Sequence, residues 1–204
     1  MDWGYQGARL RAFGKRHAPD RVRSWIWDWE YRTGKWDHIE SNEGGLVYDM
    51  ITKHSHGGGL LDLACGSGTV RMELPSGALI RYVGVDISTK AIARARQRAA
   101  GAVPLPEGER FLVGSITDPA VQREVGDGFD VVLFNECIYY FPPDDIPALV
   151  RAYAQKLQPS GTVIVRIHDR MRWREQTQAV RDTLEVVDEH NGEVSTTLVG
   201  IQSR

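Results

Sequence analysis

The chain has 204 residues, of which 42% are hydrophobic and 25% charged, and 27 acidic against 25 basic side chains leave a net charge of -2 at pH 7. A domain of this size buries its own core, and the balance excludes both a disordered tail and a strongly basic nucleic-acid binder. The longest apolar runs, such as Val131 to Phe134, are far short of the ~20 residues that span a bilayer, and the first fifteen residues hold no apolar signal segment. A soluble, cytoplasmic protein is therefore expected. Two cysteines, Cys65 and Cys137, cannot make a disulfide framework, and no Cys/His cluster has zinc spacing, so no metal is expected.

Residues 1–45 stand apart as an aromatic cap or lid, because Trp3, Trp25, Trp27, Trp29 and Trp36 all lie there. Trp25 with Trp29, and Trp27 with Tyr31, have the i, i+4 spacing of one helix face. Residues 46–204 read as the main domain, in which short β-rich runs alternate with helical patterns, the signature of a parallel sheet with crossover helices. His54 and His56 precede the first strand and belong at the edge of the sheet away from a site, with Gly57-Gly58-Gly59 a plain turn. Strands are predicted over Leu60 to Ala64, Arg81 to Asp86, Arg110 to Ser115, Asp130 to Phe134 and Thr162 to Ile167. Ser88 opens a helix reaching about Ala100, and Asp118-Pro119 opens another. Ile146, Leu149, Val150, Tyr153 and Leu157 form one apolar helix face, started by Asp144 or Asp145 and ended by Pro159 and Gly161. After a short helix, Arg174 to Val180, come two strand-like runs, Thr183 to Asp188 and Val194 to Ile201, with Asn191-Gly192 as the turn signal.

Leu60 to Thr69 is a buried strand running into a glycine turn, where missing side chains let a ligand approach the backbone. The next strand ends in Asp86, a carboxylate suited to accept hydrogen bonds from both hydroxyls of a ribose. In LLDLACGSG, YVGVDIS, FLVGSITD, FDVVLFNECIYYF and LQPSGTVIVRIHD, the chain resembles the class I S-adenosylmethionine-dependent methyltransferases over about Leu60 to Asp169. The resemblance implies a Rossmann-like three-layer α/β sandwich, with a seven-stranded mostly parallel sheet of order 3-2-1-4-5-7-6 and an antiparallel last strand. It implies S-adenosylmethionine as cofactor and S-adenosylhomocysteine as product. Asp62 would meet the methionine amino group, Gly66 and Gly68 the close turn, and Asp86 the ribose. Ile87 would flank the adenine, with Ser115 and Ile116 on its other side, while Asn135 would line the methionine end and Trp36 would reach the site from the lid. Ala64 stands where that family often has glycine, and Gly114-Ser115 where an acidic residue often meets the adenine amino group. A nicotinamide dehydrogenase is the competing reading, but Arg71 occupies the place of its third glycine.

Methyl transfer chiefly requires alignment of the acceptor and exclusion of water, and a base only where the acceptor must lose a proton early. His168, directly after the fifth strand, and Glu136, after the fourth, are the candidate bases. Tyr139, Tyr140, Trp27 and Tyr31 are candidates for the acceptor pocket. The expected partner is a small-molecule acceptor methylated on oxygen or nitrogen. A nucleic-acid partner is disfavoured: Lys15, Arg16, Arg21 and Arg23 have few interleaved aromatics, Asn135 does not open the segment of amino-methylating DNA enzymes, and Cys137 lacks the Pro-Cys context of cytosine C5 enzymes. A tRNA- or protein-directed enzyme would need a contiguous basic surface on the N-terminal segment and the Arg94, Arg96, Arg98 helix. A silent cofactor-binding partner protein and a homodimer are carried as alternatives.

Overall fold

The computed structural model describes residues 14–16, 18–37, 45–101 and 108–202. Trp3 and the junction around residue 45 that would bound the cap lie wholly or partly outside them. Helix α1 (Asp20–Arg32) and helix α2 (Gly45–Ser55) precede strand β1 (Gly59–Leu63), the short helix α3 (Thr69–Glu73) and β2 (Arg81–Asp86). Then follow α4 (Thr89–Ala100), β3 (Arg110–Val113), α5 (Pro119–Glu124), β4 (Phe129–Asn135), α6 (Ile146–Ala154) and β5 (Leu157–Ile167). The chain closes with α7 (Arg174–Arg181), β6 (Leu184–Asn191) and β7 (Thr196–Gln202). The sheet has seven strands in the order β3-β2-β1-β4-β5-β7-β6, parallel from β3 through β5, with β7 antiparallel to β5 and to β6. This is the sheet order expected from the sequence.

The central strands are buried on both faces, which is why β1 and β4 read as continuous apolar runs. On one face Val121, Val125, Ile146, Leu149 and Tyr153 pack on Leu61, Val83 and Phe134. On the other, Val47, Met50, Ile51, Ile92 and Ala95 pack on Leu60, Leu133 and Ile164. Two helix starts carry the caps read from sequence, with Ser88 accepting from the Ala91 N–H (3.1 Å) and Asp118 from the Ala120 N–H (2.8 Å).

Three local readings are corrected. Leu157 is not the end of the α6 face: the helix stops at Ala154, and Leu157 pairs with Phe129 in β5. Pro159 and Gly161 therefore lie inside that strand, at a register shift where the β5 backbone bulges away from its neighbour. Asp145 sits at the α6 N-cap but its side chain makes no capping bond. Asn191 belongs to β6, paired with Thr196, and the hairpin turn is the longer loop 192–195, closed by the Gly192 N–H on the Ser195 carbonyl (3.0 Å).

Candidate active site

At the carboxyl ends of β1, β2, β4 and β5, where open α/β sheets bind ligands, lies a cavity of about 460 Å³. Its floor is the turn after β1. Ala64 ends the strand by taking φ 58°, a left-handed conformation unusual for a residue with a Cβ, and Gly66 (φ 57°) and Gly68 (φ 75°) continue the turn. A Cβ on Gly66 would meet the Tyr31 hydroxyl at 2.5 Å, so a side chain there would displace the tip of that ring besides straining the turn. Gly68 is the N-cap of α3; it shapes the turn without lining the cavity.

Two buried carboxylates face this turn. Asp86 accepts from the Gly66 N–H (2.9 Å) and the Ser88 N–H (2.8 Å), yet burial outweighs both bonds and pushes its carboxyl up to about 6. Asp62 is 1% exposed; its Oδ2 accepts from the Tyr82 hydroxyl (2.8 Å) and its Oδ1 has no hydrogen-bond partner among the described residues. Burial raises this carboxyl to about 7, and the nearby Asp86 charge adds to the effect. The Asn135 Oδ1 is similarly buried and unpartnered. Ile87, Gly114, Ser115 and Ile116 line the next stretch of wall. The Ser115 hydroxyl is already bonded to the Thr117 hydroxyl (2.8 Å), which leaves backbone groups of this stretch as the simpler partners for a ligand amine.

On the opposite side, Glu136 follows β4 in a left-handed conformation (φ 56°). Its Oε2 accepts from the His168 backbone N–H (2.9 Å) and the Tyr139 hydroxyl (3.1 Å), while Oε1, 3.5 Å from Arg166 Nε, receives no hydrogen bond. Burial raises the Glu136 carboxyl above the usual range. The His168 side chain is exposed at the cavity rim. Burial also raises the Tyr139 and Tyr140 phenols, so both stay protonated.

The remaining wall is aromatic. Trp27 meets Tyr140 edge-on at 5.1 Å and lies 5.5 Å from Trp36, and Tyr139 stacks on Trp173 at 5.2 Å. Trp27, Tyr31, Trp36, Tyr139 and Tyr140 all line the cavity. Trp25, by contrast, points out and is 66% exposed, because the i, i+4 pair that faces inward is Trp27 with Tyr31. The wall is fixed from behind by a charge network the sequence did not announce. Lys15 Nζ lies 3.6 Å from the Trp27 ring centre and donates to Glu30 Oε2 (2.6 Å), which also accepts from Trp36 Nε1 (3.0 Å); Lys35 donates to Oε1 (2.8 Å). Burial works to raise the Glu30 carboxyl, but these lysines more than reverse it and hold it low. Helix α1 is fastened to the end of β2 through Asp28, which accepts from the Ser88 hydroxyl (2.6 Å), the Thr89 hydroxyl (2.8 Å) and the Lys90 N–H (3.1 Å).

The site thus unites every residue expected to line it, apart from Gly68 behind the turn, and adds Arg23 and Arg166, for which no role was read. An arginine two residues past the buried Ile164, on the same face of β5, was the available signal. His54 lies elsewhere, 3.7 Å from Asp188. Arg71, at the place of a dehydrogenase's third glycine, is ion-paired to Glu109 (2.6 Å). Arg94, Arg96 and Arg98 each make a bond within the protein, although Arg96 is also exposed. Arg94 donates to Asp37 and the Tyr31 carbonyl, Arg96 to the Phe111 carbonyl, and Arg98 to Ser67 and Thr69.

Comparison with known proteins agrees with this geometry. A family model described as "Methyltransferase domain" matches residues 60–161, and the chain belongs to that family. Its fold is that of the class I S-adenosylmethionine-dependent methyltransferases. Among solved structures, it superposes on an S-adenosylmethionine-dependent methyltransferase from Clostridium acetobutylicum with a TM-score of 0.66 at 14% identity, covering 84% of this chain and 99% of that one. Magnesium protoporphyrin IX methyltransferase from Synechocystis, with bound SAM, superposes with a TM-score of 0.58 at 16% identity, covering 96% of both chains. In sequence, 116 residues are 30% identical to the nonribosomal peptide synthetase dtxS1 of Metarhizium robertsii, a match over 54% of this chain and 1% of that much longer protein. Among the described residues no helix is long and apolar enough to cross a membrane.

Proposed function

We propose that this methyltransferase moves a methyl group from S-adenosylmethionine to an oxygen or nitrogen of a small-molecule acceptor. The observation that carries the reading is the juxtaposition of a buried, half-partnered Asp62 with a concave aromatic wall across one cavity. A buried carboxylate oxygen without a donor is costly unless a ligand supplies one, and an α-ammonium group does so. Asp86 retains lone pairs for ribose hydroxyls, Gly66 gives close backbone access, and Ile87, Ser115 and Ile116 supply walls for a flat adenine. Asn135 and Trp36 stand toward the methionine end. When bound, the cofactor supplies an electrophilic methyl group on a sulfonium sulfur.

The residues of this chain then have two tasks. Trp27, Tyr31, Tyr139 and Tyr140 exclude water and present ring faces to the acceptor and to positive charge. Glu136, whose carboxyl is raised by burial and whose Oε1 accepts no hydrogen bond among the described residues, and His168 at the rim serve acceptors that must be deprotonated. A concave cavity lined by Trp27, Tyr31, Trp36, Tyr139 and Tyr140 favours a small acceptor over a nucleic acid. Two buried free cysteines fit the same reading of a cytoplasmic enzyme.

The test is calorimetric titration of S-adenosylmethionine, S-adenosylhomocysteine and NAD into the wild type and Asp86→Ala, followed by an acceptor panel of sugars, phenols and amines. Micromolar binding of the two sulfur cofactors, lost in Asp86→Ala, is expected; preference for NAD overturns the reading. With an oxygen acceptor, His168→Ala and Glu136→Gln are expected to lower turnover while cofactor affinity is kept, and unchanged turnover removes the residue from the mechanism.

A further inference from the structure

The chain turns sharply after β5. Asp169 takes a left-handed conformation (φ 55°), its carbonyl accepts from the Trp173 N–H (3.1 Å), and its Oδ1 accepts from the Arg172 N–H (3.1 Å). The turn folds Arg172 and Trp173 back beside the cavity, where Trp173 stacks on the lining residue Tyr139 with 6° between the planes. The same indole receives two guanidinium groups. That of half-buried Arg16 lies 4.4 Å from the ring centre, and that of exposed Arg172 lies 4.8 Å from it.

Like charges from opposite ends of the chain are thus brought together without an answering carboxylate. Lys15 and Lys35 are paired with Glu30, and Arg23 with Asp20, whereas neither Arg16 nor Arg172 has an ion-pair partner among the described residues. Asp169, the nearest acid in sequence to Arg172, gives its Oδ1 to the backbone N–H rather than to the guanidinium. Burial and then the Arg172 charge lower the Arg16 guanidinium below its ordinary value, and the opposing effect of Tyr140 places Arg16 within electrostatic range of the aromatic wall. Contact with an indole eases the cost of a cation but does not neutralise it. Two forks of N–H donors sharing one ring are suited to a carboxylate or a phosphate.

We propose that Arg16 and Arg172 bind an anionic group of the acceptor, a carboxylate or a phosphate monoester, and hold it beside Trp173 while the reacting oxygen or nitrogen lies among Tyr139, Tyr140 and His168. The proposal rests on the small-acceptor reading above and narrows its substrate class to acids that carry a planar group able to meet the stacked rings. The two arginines select and position the acceptor; they take no part in the transfer itself.

The experiment is a ligand-observed NMR titration with three probes: benzoate, phenyl phosphate and the neutral counterpart benzyl alcohol. Each is titrated with and without S-adenosylhomocysteine, whose own affinity is measured by calorimetry. Wild type is expected to bind at least one of the anions about 5- to 20-fold more tightly than benzyl alcohol, a preference that shrinks as salt rises. The tighter anion distinguishes carboxylate from phosphate. The double variant Arg16→Gln with Arg172→Gln is expected to lose the preference, each single variant part of it, and Arg16→Lys less than Arg16→Gln. Affinities for benzyl alcohol and S-adenosylhomocysteine are expected to stay unchanged, which also reports that the variants are folded. The proposal is overturned if wild type binds all three probes alike, if the double variant keeps the preference, or if all affinities fall together, which makes the arginines structural supports of Trp173. Binding of bulk tRNA in place of the small anions, lost in the same double variant, assigns the pair to a nucleic-acid phosphate and likewise overturns it. Failure of S-adenosylhomocysteine to bind wild type overturns the cofactor reading, and the anion preference without it is scored separately.

Discussion

The two walls of the cavity bury charge in opposite ways. On the aromatic side, Glu30 is fully enclosed and fully answered, by Lys15, Lys35 and Trp36. On the sheet side, Asp62 is just as enclosed but half answered, and Asn135 and Glu136 each keep an oxygen without a hydrogen bond among the described residues. A buried polar group satisfied by the chain serves the fold, whereas one left open in a cavity serves a ligand. The contrast separates residues whose loss unfolds the wall from residues whose loss empties the site.

The largest expected effect falls on the answered side. Glu30→Ala removes the buried carboxylate to which Lys15, Lys35 and Trp36 all donate, at about 3 kcal/mol for breaking a buried ion pair, and is expected to lower the Tm by roughly 6–12 °C in calorimetry. Asp62→Asn should do the reverse, leaving the Tm unchanged or higher while weakening S-adenosylmethionine by about 2 kcal/mol, since a charged hydrogen bond is lost. If Asp62→Asn unfolds the protein as Glu30→Ala does, the distinction between the walls fails.

A titration sharpens the same contrast. The carboxyls of Asp62 and Asp86, raised to about 7 and about 6, hold protons more tightly folded than unfolded, where an aspartate titrates near ~4. Their contribution to the stability of the ligand-free protein is therefore fully present below about pH 4 and is lost as pH rises through about 7. Cofactor affinity runs the other way, because an ammonium ligand requires ionised Asp62. It should fall about tenfold, or about 1.4 kcal/mol, for each pH unit below 7. Calorimetry in buffers of different ionisation enthalpy should record proton release on binding at pH 6; no release would remove Asp62 as the ammonium partner. The smallest effect is expected at Trp25, exposed on the outer face of α1, where Trp25→Ala should change neither Tm nor affinity by more than about 0.5 kcal/mol.

Much of the sheet side was legible because its signals are local. The glycine turn, the strand-end Asp86 and the caps at Ser88 and Asp118 each depend on residues a few positions apart, whereas the strand order came only through the family resemblance that these motifs carry. Leu157 misled because an apolar residue at helical spacing also suits a strand, and its pairing with Phe129, not its periodicity, decides. The bond between Lys15 and Glu30 spans fifteen positions and depends on a turn and a helix meeting in space. Arg166 was legible only as an oddity, a charge among valines and isoleucines, until the register of β4 and β5 set it beside Asn135.

The Asp28 fastening bears on how the cavity admits its ligands. Asp28 holds α1 to Ser88, Thr89 and Lys90, and Ser24 donates to the Ile87 carbonyl (3.0 Å), so the helix is anchored to the segment that follows Asp86. Arg94 adds bonds to the Tyr31 carbonyl and to Asp37, so α1 and the turn that carries Trp36 are tied to α4 along their length. Trp27, between the Ser24 and Asp28 anchors, is therefore held from outside the cavity, and a ligand would reach the site past a braced wall rather than a swinging one.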